Sequence, residues 1–539
     1  MELETISIPA TNRFASLYLD QKQPVKSFFH YDITNSNVFE KRLKDLHKRN
    51  FARDELANCI ETYMERFPKS EKIKESLLKL KRDDSSVVIG GQQAGLLTGP
   101  LYTIHKIISI IHLAKQQEEK LNKPVVPIFW IAGEDHDYLE INHVFVESDR
   151  ALKKISYSEG PVDKRMVSDI VYDKDQLSRW IKKVFEHFGE TIHTKNIMAL
   201  IDDAIEHTES LVDFFTYIVV DLFKKYGMLV IDSADKNLRQ LEIPFFQELI
   251  ENQQAITDSV IHQQELIKGN DFPNAIDISG NALNLFYYNG MERILLEYQQ
   301  EKNGFVGKNG EVFFTKNELL DILEENPSAF SNNVVTRPIM QEWLFPTLAF
   351  IAGPGEIAYW GELKLAFEAL HFQMPPIIPR LNISLLERSI ESDVNELNLD
   401  VEKVIRQGLQ DEKQVYWDSI KNHDLDRLIN ESKAFLDTQY KQIEEKAEKG
   451  LLPIVEKNLQ FHQNQLDFLQ RKADLMLAEK NDVILERYNR IERLLKPNGA
   501  PQERIWNIYY FLNKYGDTFI DQIMTLHYEF NGKHKLIRI

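Results

Sequence analysis

The sequence predicts an α/β fold: a doubly wound parallel sheet interrupted by two insertions, followed by a long α-helical coiled coil. Three observations carry that prediction. Five apolar runs behave like buried parallel strands, each ending in turn chemistry or leading into a helical pattern: Val87 to Gly91, Val125 to Gly133, Met228 to Asp232, Leu348 to Gly353 and Ile377 to Leu381. Helical stretches such as LYTIHKIISIIHLAKQQEEKL and GEIAYWGELKLAFEAL lie between or after them, the alternation of a Rossmann-like core. From about Leu399 to Lys496 the chain changes to long, charged helices with heptad spacing.

In chain order, residues 1–150 read as N-terminal helices and the first half of the core, and 151–225 as a helical insertion. Residues 226–283 return to a core strand and helices. Residues 284–330 form a small antiparallel β insertion, in which NLFYYNG, RILLEYQQ, GFVGKNG and EVFFTKNE are short strands broken by Asn-Gly turns. The second half of the core follows at 331–398. Residues 399–496 read as an antiparallel hairpin: Leu425, Ile429, Leu436, Tyr440, Ile443 and Ala447 keep to one face, and Gly450 and Pro453 then break the helix. In the second arm Leu459, Leu466 and Ala473 recur by sevens, with Leu469, Met476 and Val483 at the complementary positions. That arm, Ile454 to Leu495, would be roughly 60 Å long at 1.5 Å per residue. Two such helices bury little alone, so a homodimer through the coiled coil is expected. Residues 497–539, dense in aromatics, are expected to return to the core as helices.

Composition narrows the function. The 539 residues carry 65 Lys and Arg against 83 Asp and Glu, a formal charge of −18. With no long basic run, neither nucleic acid nor an anionic membrane is expected as partner. Cys59 is the only cysteine, which excludes an internal disulfide and a thiolate zinc site and makes it a small buried hydrophobe. The N-terminus has no cationic segment leading into an apolar stretch, and no run approaches membrane-spanning length. A cytoplasmic protein is expected.

In a doubly wound sheet the ligand sits beyond the carboxyl ends of the strands, and polar clusters follow several of them here. After the first comes GGQQAGLLTGPLYTIHK. Gly91, Gly95 and Gly99 permit close backbone approach, Gln92, Gln93 and Thr98 offer hydrogen-bonding groups, and Pro100 suits the start of a helix whose free N–H groups favour an anion. This is neither GxGxxG nor GxxxxGK[ST]. Tyr102 and His105 share a face of that helix. After the second strand comes Glu134, Asp135, His136 and Asp137: carboxylates beside an imidazole can orient it and tune its pKa, hold an amine, or bind a metal, although an Asp-rich helix cap would look the same. Around the fourth stand Thr336, Arg337 and Gln341 before the strand and GPGE with Glu356, Tyr359 and Trp360 after it; Arg337 can fork onto a carboxylate or phosphate. The fifth leads to Arg380, Asn382, Ser384 and Arg388.

These stretches, together with WIAGEDHD, VVTRPIMQEWLFPTLAFIAGPGEIAYWGELK and the helical hairpin, resemble the bacillithiol biosynthesis cysteine-adding enzymes of the BshC family, in order and over essentially the whole chain. The resemblance implies a ligase that joins the carboxyl group of cysteine to the amine of glucosaminyl-malate, the last step to bacillithiol. It also implies a Rossmann-like core with two connecting-peptide insertions and a coiled-coil homodimer. The family is related by fold to class I aminoacyl-tRNA synthetases. Tyr102-Thr-Ile-His105 keeps only the last histidine of their HIGH motif, and no KMSKS-like loop is present. In this reading His105, Glu134, His136 and Asp137 are the catalytic candidates, and Gln92, Gln93, Gly95, Thr98, Tyr102, Thr336, Arg337, Gln341, Glu356, Tyr359 and Trp360 bind substrate. The resemblance further implies ATP or ADP as cofactor, near the coiled coil, with Ser384, Arg388, Arg490, Arg504 and Trp506 as candidates by position. No metal is expected. Two other readings compete: a non-catalytic coiled-coil scaffold with a degenerate nucleotide-binding core, and a metal-dependent hydrolase using EDHD.

Overall fold

The computed structural model describes residues 1–158, 164–308 and 310–539. The chain forms two compact units, one of Met1–Leu385 with Pro501–Ile539 and one of Leu386–Ala500.

The first unit is organised by five parallel strands: β1 (Ser86–Gln92), β2 (Val125–Ile131), β3 (Leu229–Asp232), β4 (Thr347–Ala352) and β5 (Ile377–Pro379). All five correspond to the apolar runs. Their spatial order is β5-β4-β1-β2-β3. The chain starts in the middle, steps outward through β2 and β3, then returns to the other side of β1. The reversal lies between β1 and β4, so the loops after these two strands flank the ligand crevice expected of such a sheet. β2, β3 and β4 are buried throughout, because helices cover both faces of a parallel sheet.

Helix α1 (Leu101–Leu121) packs on β1, β2 and β4 and is buried along nearly its whole first half. It ends at Asn122, whose φ of 49° and ψ of 43° make a left-handed cap.

The insertion after β2 begins differently from its helical expectation. His143–Ser148 and Ala151–Ser156 pair as an antiparallel hairpin, and helices follow only from Lys174. Val144 and Val146 point inward while His143, Phe145 and Glu147 are less buried, a period of two that six residues signal only weakly. Asp149 and Arg150 both have positive φ, 51° and 62°, the geometry of a two-residue hairpin turn without its usual Asn-Gly. Residues 159–163 of that insertion lie outside the described residues. The second insertion is the antiparallel sheet expected, built from Ala282–Tyr288, Arg293–Gln299, Gly304–Gly307, Phe313–Phe314 and Phe330–Asn332. Of its Asn-Gly turns, the one at Gly310 includes residue 309, which is not described.

The C-terminal segment does return to the core. Its helices, Gln502–Ile505, Ile508–Tyr515 and Phe519–Met524, are followed by a strand that the helical expectation missed. His534–Arg538 pairs antiparallel with the N-terminal Glu2–Ile6, and Ile383–Leu386 completes a three-stranded sheet. Partners more than 500 residues apart leave no local pattern by which the pairing could be foreseen.

The second unit is helical. His423–Lys446 and Leu452–Lys480 form the hairpin. Lys433 pairs with Asp467, while Gln463 donates to Asp437 at 2.6 Å and Gln470 to Asp426 at 2.6 Å, partners that run in opposite directions along the two arms. The expected 60 Å arm instead breaks at Asn481, whose side chain bonds back to the Leu477 carbonyl, and resumes as Asp482–Leu495. Leu459, Leu466 and Ala473 are half-buried, as expected, but Leu469, Met476 and Val483 are exposed. Gln463 and Gln470 occupy the seam in their place, which turns those apolar residues outward.

Candidate active site

At β1 the sequence ends a buried strand in two glycines, and the structure gives a reason for the second. Gly91 stands beside Trp130 of β2, and a Cβ there would meet the Trp130 carbonyl oxygen at 2.9 Å and its indole Cδ1 at 3.2 Å. The missing side chain is what lets the indole reach the carboxyl edge. Beyond Gln93 the loop folds on itself: a Cβ on Gly95 would lie 2.6 Å from the Gly99 Cα, and Leu97, Thr98 and Gly99 all have positive φ. Asn507 Nδ2 donates to the carbonyls of Leu97 (2.6 Å) and Gly99 (2.8 Å) and holds this shape. Gly95 and Thr98 are therefore scaffold and do not line the cavity.

That cavity, about 580 Å³, opens where the reversal in strand order places it, lined by residues from the ends of β1, β2, β4 and β5. It is a size suited to a small polar ligand. Gln92, Gln93, Tyr102, Arg337, Glu356 and Tyr359 line it, as the sequence reading expected; so do Lys106, Trp130, Asp135, Arg380 and Arg504.

Lys106 is buried, and its Nζ donates to the Gly91 carbonyl (2.6 Å), Gln92 Oε1 (3.2 Å) and Glu356 Oε2 (2.6 Å). Burial pushes its pKa down, with Glu356 acting in the opposite sense. All three ammonium protons are used, so this lysine organises the wall and keeps none for a ligand. Glu356 Oε2 also accepts the Gly353 N–H at 2.7 Å, which caps helix α2 (Pro354–Gly361). Both bonds fall on one oxygen, leaving Oε1 of a cavity-lining carboxylate open. Across the cavity Arg337 Nη2 donates to the Tyr359 hydroxyl at 2.6 Å. Gln93 Nε2 donates to Asp135 Oδ2 at 2.8 Å, and the His136 N–H to Asp135 Oδ1 at 2.9 Å. The indole N–H of Trp130 has no partner among the described residues.

None of the four catalytic candidates lines this cavity. His105 is buried with its Nδ1 3.2 Å from Glu503 Oε2, and burial pushes its pKa down, which keeps it neutral. Glu134 is buried in an ion pair with Arg239, which also pairs with the buried Glu242. His136 lies against Arg293 and Phe286 of the β insertion, at 3.4 Å from Arg293 Nη1; burial, then the Arg293 charge, lowers its pKa. Asp137 is exposed. EDHD thus does not converge on the cavity: Asp135 lines it, but Arg293 lies 3.7 Å from Asp135 and 3.4 Å from His136, Glu134 turns to Arg239 and Asp137 is exposed; no group of three His, Cys, Asp or Glu suited to a metal occurs among the described residues.

Thr336, Gln341 and Trp360 are buried away from the cavity; Thr336 Oγ1 donates to the Asn284 carbonyl at 2.8 Å. The helix N-terminus after Gly99 is already engaged, since the Leu101 N–H donates to the Trp506 carbonyl at 2.8 Å. The nucleotide candidates divide. Ser384 and Trp506 are buried in the first unit, with Ser384 Oγ 2.9 Å from His534 Nε2, and Arg504 lines the cavity. In the second unit Arg490 pairs with Asp393, and Arg388 is exposed.

Two family descriptions match the chain: "Bacillithiol biosynthesis BshC, N-terminal Rossmann-like domain" over residues 1–381 and "Bacillithiol biosynthesis BshC, C-terminal coiled-coil domain" over residues 383–539. Relatives named "Putative cysteine ligase BshC" align over 100% of both chains. They are 43% identical in a Geobacillus species, 44% in Anoxybacillus flavithermus and 38% in Bacillus cereus.

Proposed function

The chain belongs to the bacillithiol biosynthesis BshC family, and from that premise we propose that it is the ligase joining the carboxyl group of cysteine to the amine of glucosaminyl-malate, in the cavity at the carboxyl edge of the sheet. The observation that carries the reading is the meeting of three guanidinium groups, Arg337, Arg380 and Arg504, with the half-open carboxylate of Glu356 around a single cavity that Asp135 and Glu140 also line. The cations suit the two malate carboxylates. Glu356 Oε1 suits an amine, first holding it and then taking its proton as the nitrogen attacks.

Amide formation from a free carboxylate needs activation, and ATP is the donor we propose. It would supply a phosphoryl or adenylyl group to the cysteine carboxylate, and the guanidinium groups of the cavity fit a polyanion. In the step that follows, the C–N bond forms, the C–O bond to the leaving phosphate or AMP breaks, and the amine proton passes to Glu356. Neither a metal nor a nucleic acid is part of the proposal. Among the described residues no helix is long and apolar enough to cross a membrane. In cells deleted for this chain, bacillithiol should disappear and glucosaminyl-malate accumulate, with wild type but not Glu356→Gln restoring the thiol. Bacillithiol persisting in the deletion strain would overturn the proposal.

We further propose that the hairpin pairs with a second copy. Leu428, Phe435, Phe461 and Phe468 are 50–64% exposed, and Leu428 and Phe435 border a groove of about 510 Å³ between the arms, more apolar surface than a free helix pair keeps in water. Wild type should sediment as a dimer and Phe435→Glu as a folded monomer; a monomeric wild type would contradict this.

A further inference from the structure

Glu503 acts on the cavity without lining it, and we propose that it is a positioning residue for Arg380, and through Arg380 for the carboxylates of the malate-bearing substrate. The inference rests on the ligase reading above.

Arg380 follows β5 directly, its N–H donating to the Ala352 carbonyl at 2.8 Å, so its backbone is an extension of the sheet. Its side chain is long and flexible, yet only 4% exposed. Two parallel bonds fix it: Nη1 donates to Glu503 Oε2 at 2.8 Å and Nη2 to Glu503 Oε1 at 2.7 Å. A guanidinium gripped through both terminal nitrogens has its plane set, and it keeps Nε–H and one N–H on each Nη for another acceptor. A lysine at this position would offer a point charge with no plane to set.

Glu503 is itself held. Burial would raise its pKa, but the Arg380 charge and the bonds from His105 and Arg380 outweigh burial and keep it well below the usual carboxylate range. His105, neutral, donates through Nδ1 to Oε2, and its own carbonyl takes the Ser109 hydroxyl at 2.6 Å. Ser109 Oγ accepts the Leu381 N–H at 3.0 Å. Helix α1, the end of β5 and the returning segment are thereby joined around one carboxylate. The neighbours of Glu503 do related work. Gln502 exchanges bonds with the Leu385 N–H (2.7 Å) and carbonyl (2.9 Å), and Asn507 holds the glycine loop. Six residues, 502–507, thus brace the loops after β1 and β5, and Glu503 is the one whose bonds reach a cavity-lining charge.

The test is calorimetric titration of glucosaminyl-malate into the full-length protein, with thermal unfolding of each variant alongside. Glu503→Gln should weaken binding by roughly tenfold or more, as expected for loss of a charge-assisted pair, and steady-state turnover should show the change in KM for glucosaminyl-malate and not in kcat. Arg380→Lys should reproduce the loss, and the double variant should bind no more weakly than Arg380→Lys alone, the non-additivity of two residues acting as one unit. If Glu503→Gln does not fold, Arg380→Lys still decides. Wild-type affinity in either variant, or additive losses in the double variant, would overturn the inference and leave the ligase reading standing. A wild type that binds no glucosaminyl-malate would overturn both.

Discussion

Arg337→Ala should raise the KM for glucosaminyl-malate by about 10- to 100-fold, the loss of a charged hydrogen-bonding partner of about 1.5–3 kcal/mol, with the protein still folded. Arg337 is half-buried on the cavity wall, and among the described residues its guanidinium donates only to the Tyr359 hydroxyl, which leaves most of its donors for a ligand. Removing it takes away affinity for an anion at the cost of a single internal bond. If Arg337 binds substrate and transition state alike, the effect stays in KM; if it stabilises charge that develops during acyl transfer, kcat falls with kcat/KM. Asp137→Ala is the control, because Asp137 is exposed and outside the cavity. Steady-state kinetics with glucosaminyl-malate as the varied substrate checks both, and an unchanged Arg337→Ala enzyme would remove this residue from the site.

Glu134→Ala should have the opposite signature: a loss of stability of about 3–5 kcal/mol, as when one partner of a buried ion pair is deleted, with KM unchanged in the protein that remains folded. The Glu134 side chain is 5% exposed and its partner Arg239 1%. Arg293, also buried, feels the Glu134 charge as its largest electrostatic support. Without Glu134, two buried guanidinium groups share less negative charge, and Glu242 alone remains paired to Arg239. Denaturant unfolding followed by tryptophan fluorescence measures the loss. A Glu134→Ala protein as stable as wild type but slow in turnover would return Glu134 to the chemistry.

The contrast between these two residues marks what the sequence could and could not reveal. Both follow or flank a core strand, and the rule that ligands sit at the carboxyl edge made both candidates. The sheet itself was legible, since continuous apolar runs of strand length have few other uses; Gln92, Gln93 and Glu356 fall in the cavity because their strands end there, and Arg337 because its helix, Thr336–Leu344, begins there before leading into β4. What is not legible is the direction a side chain takes after the strand ends. Glu134 turns back into the core to meet Arg239, a residue 105 positions away, and His105 turns toward Glu503, 398 positions away. Trp130 shows the converse: an indole inside an apolar run reads as core, and it is fully buried beside Gly91. Glu503 carried no local signal at all, because its significance lies in the return of the chain to Arg380.

If this one cavity joins cysteine to glucosaminyl-malate, the whole reaction can be rebuilt from purified components. Purified full-length protein incubated with cysteine, glucosaminyl-malate and ATP, and followed by mass spectrometry, tests it most directly. Bacillithiol should form together with an equimolar nucleotide product, AMP if the intermediate is an adenylate and ADP if it is an acyl phosphate, and Glu356→Gln should give a strongly reduced yield. Failure of the wild-type protein to form bacillithiol from all three compounds, or a Glu356→Gln protein that forms it at the wild-type rate, would contradict it.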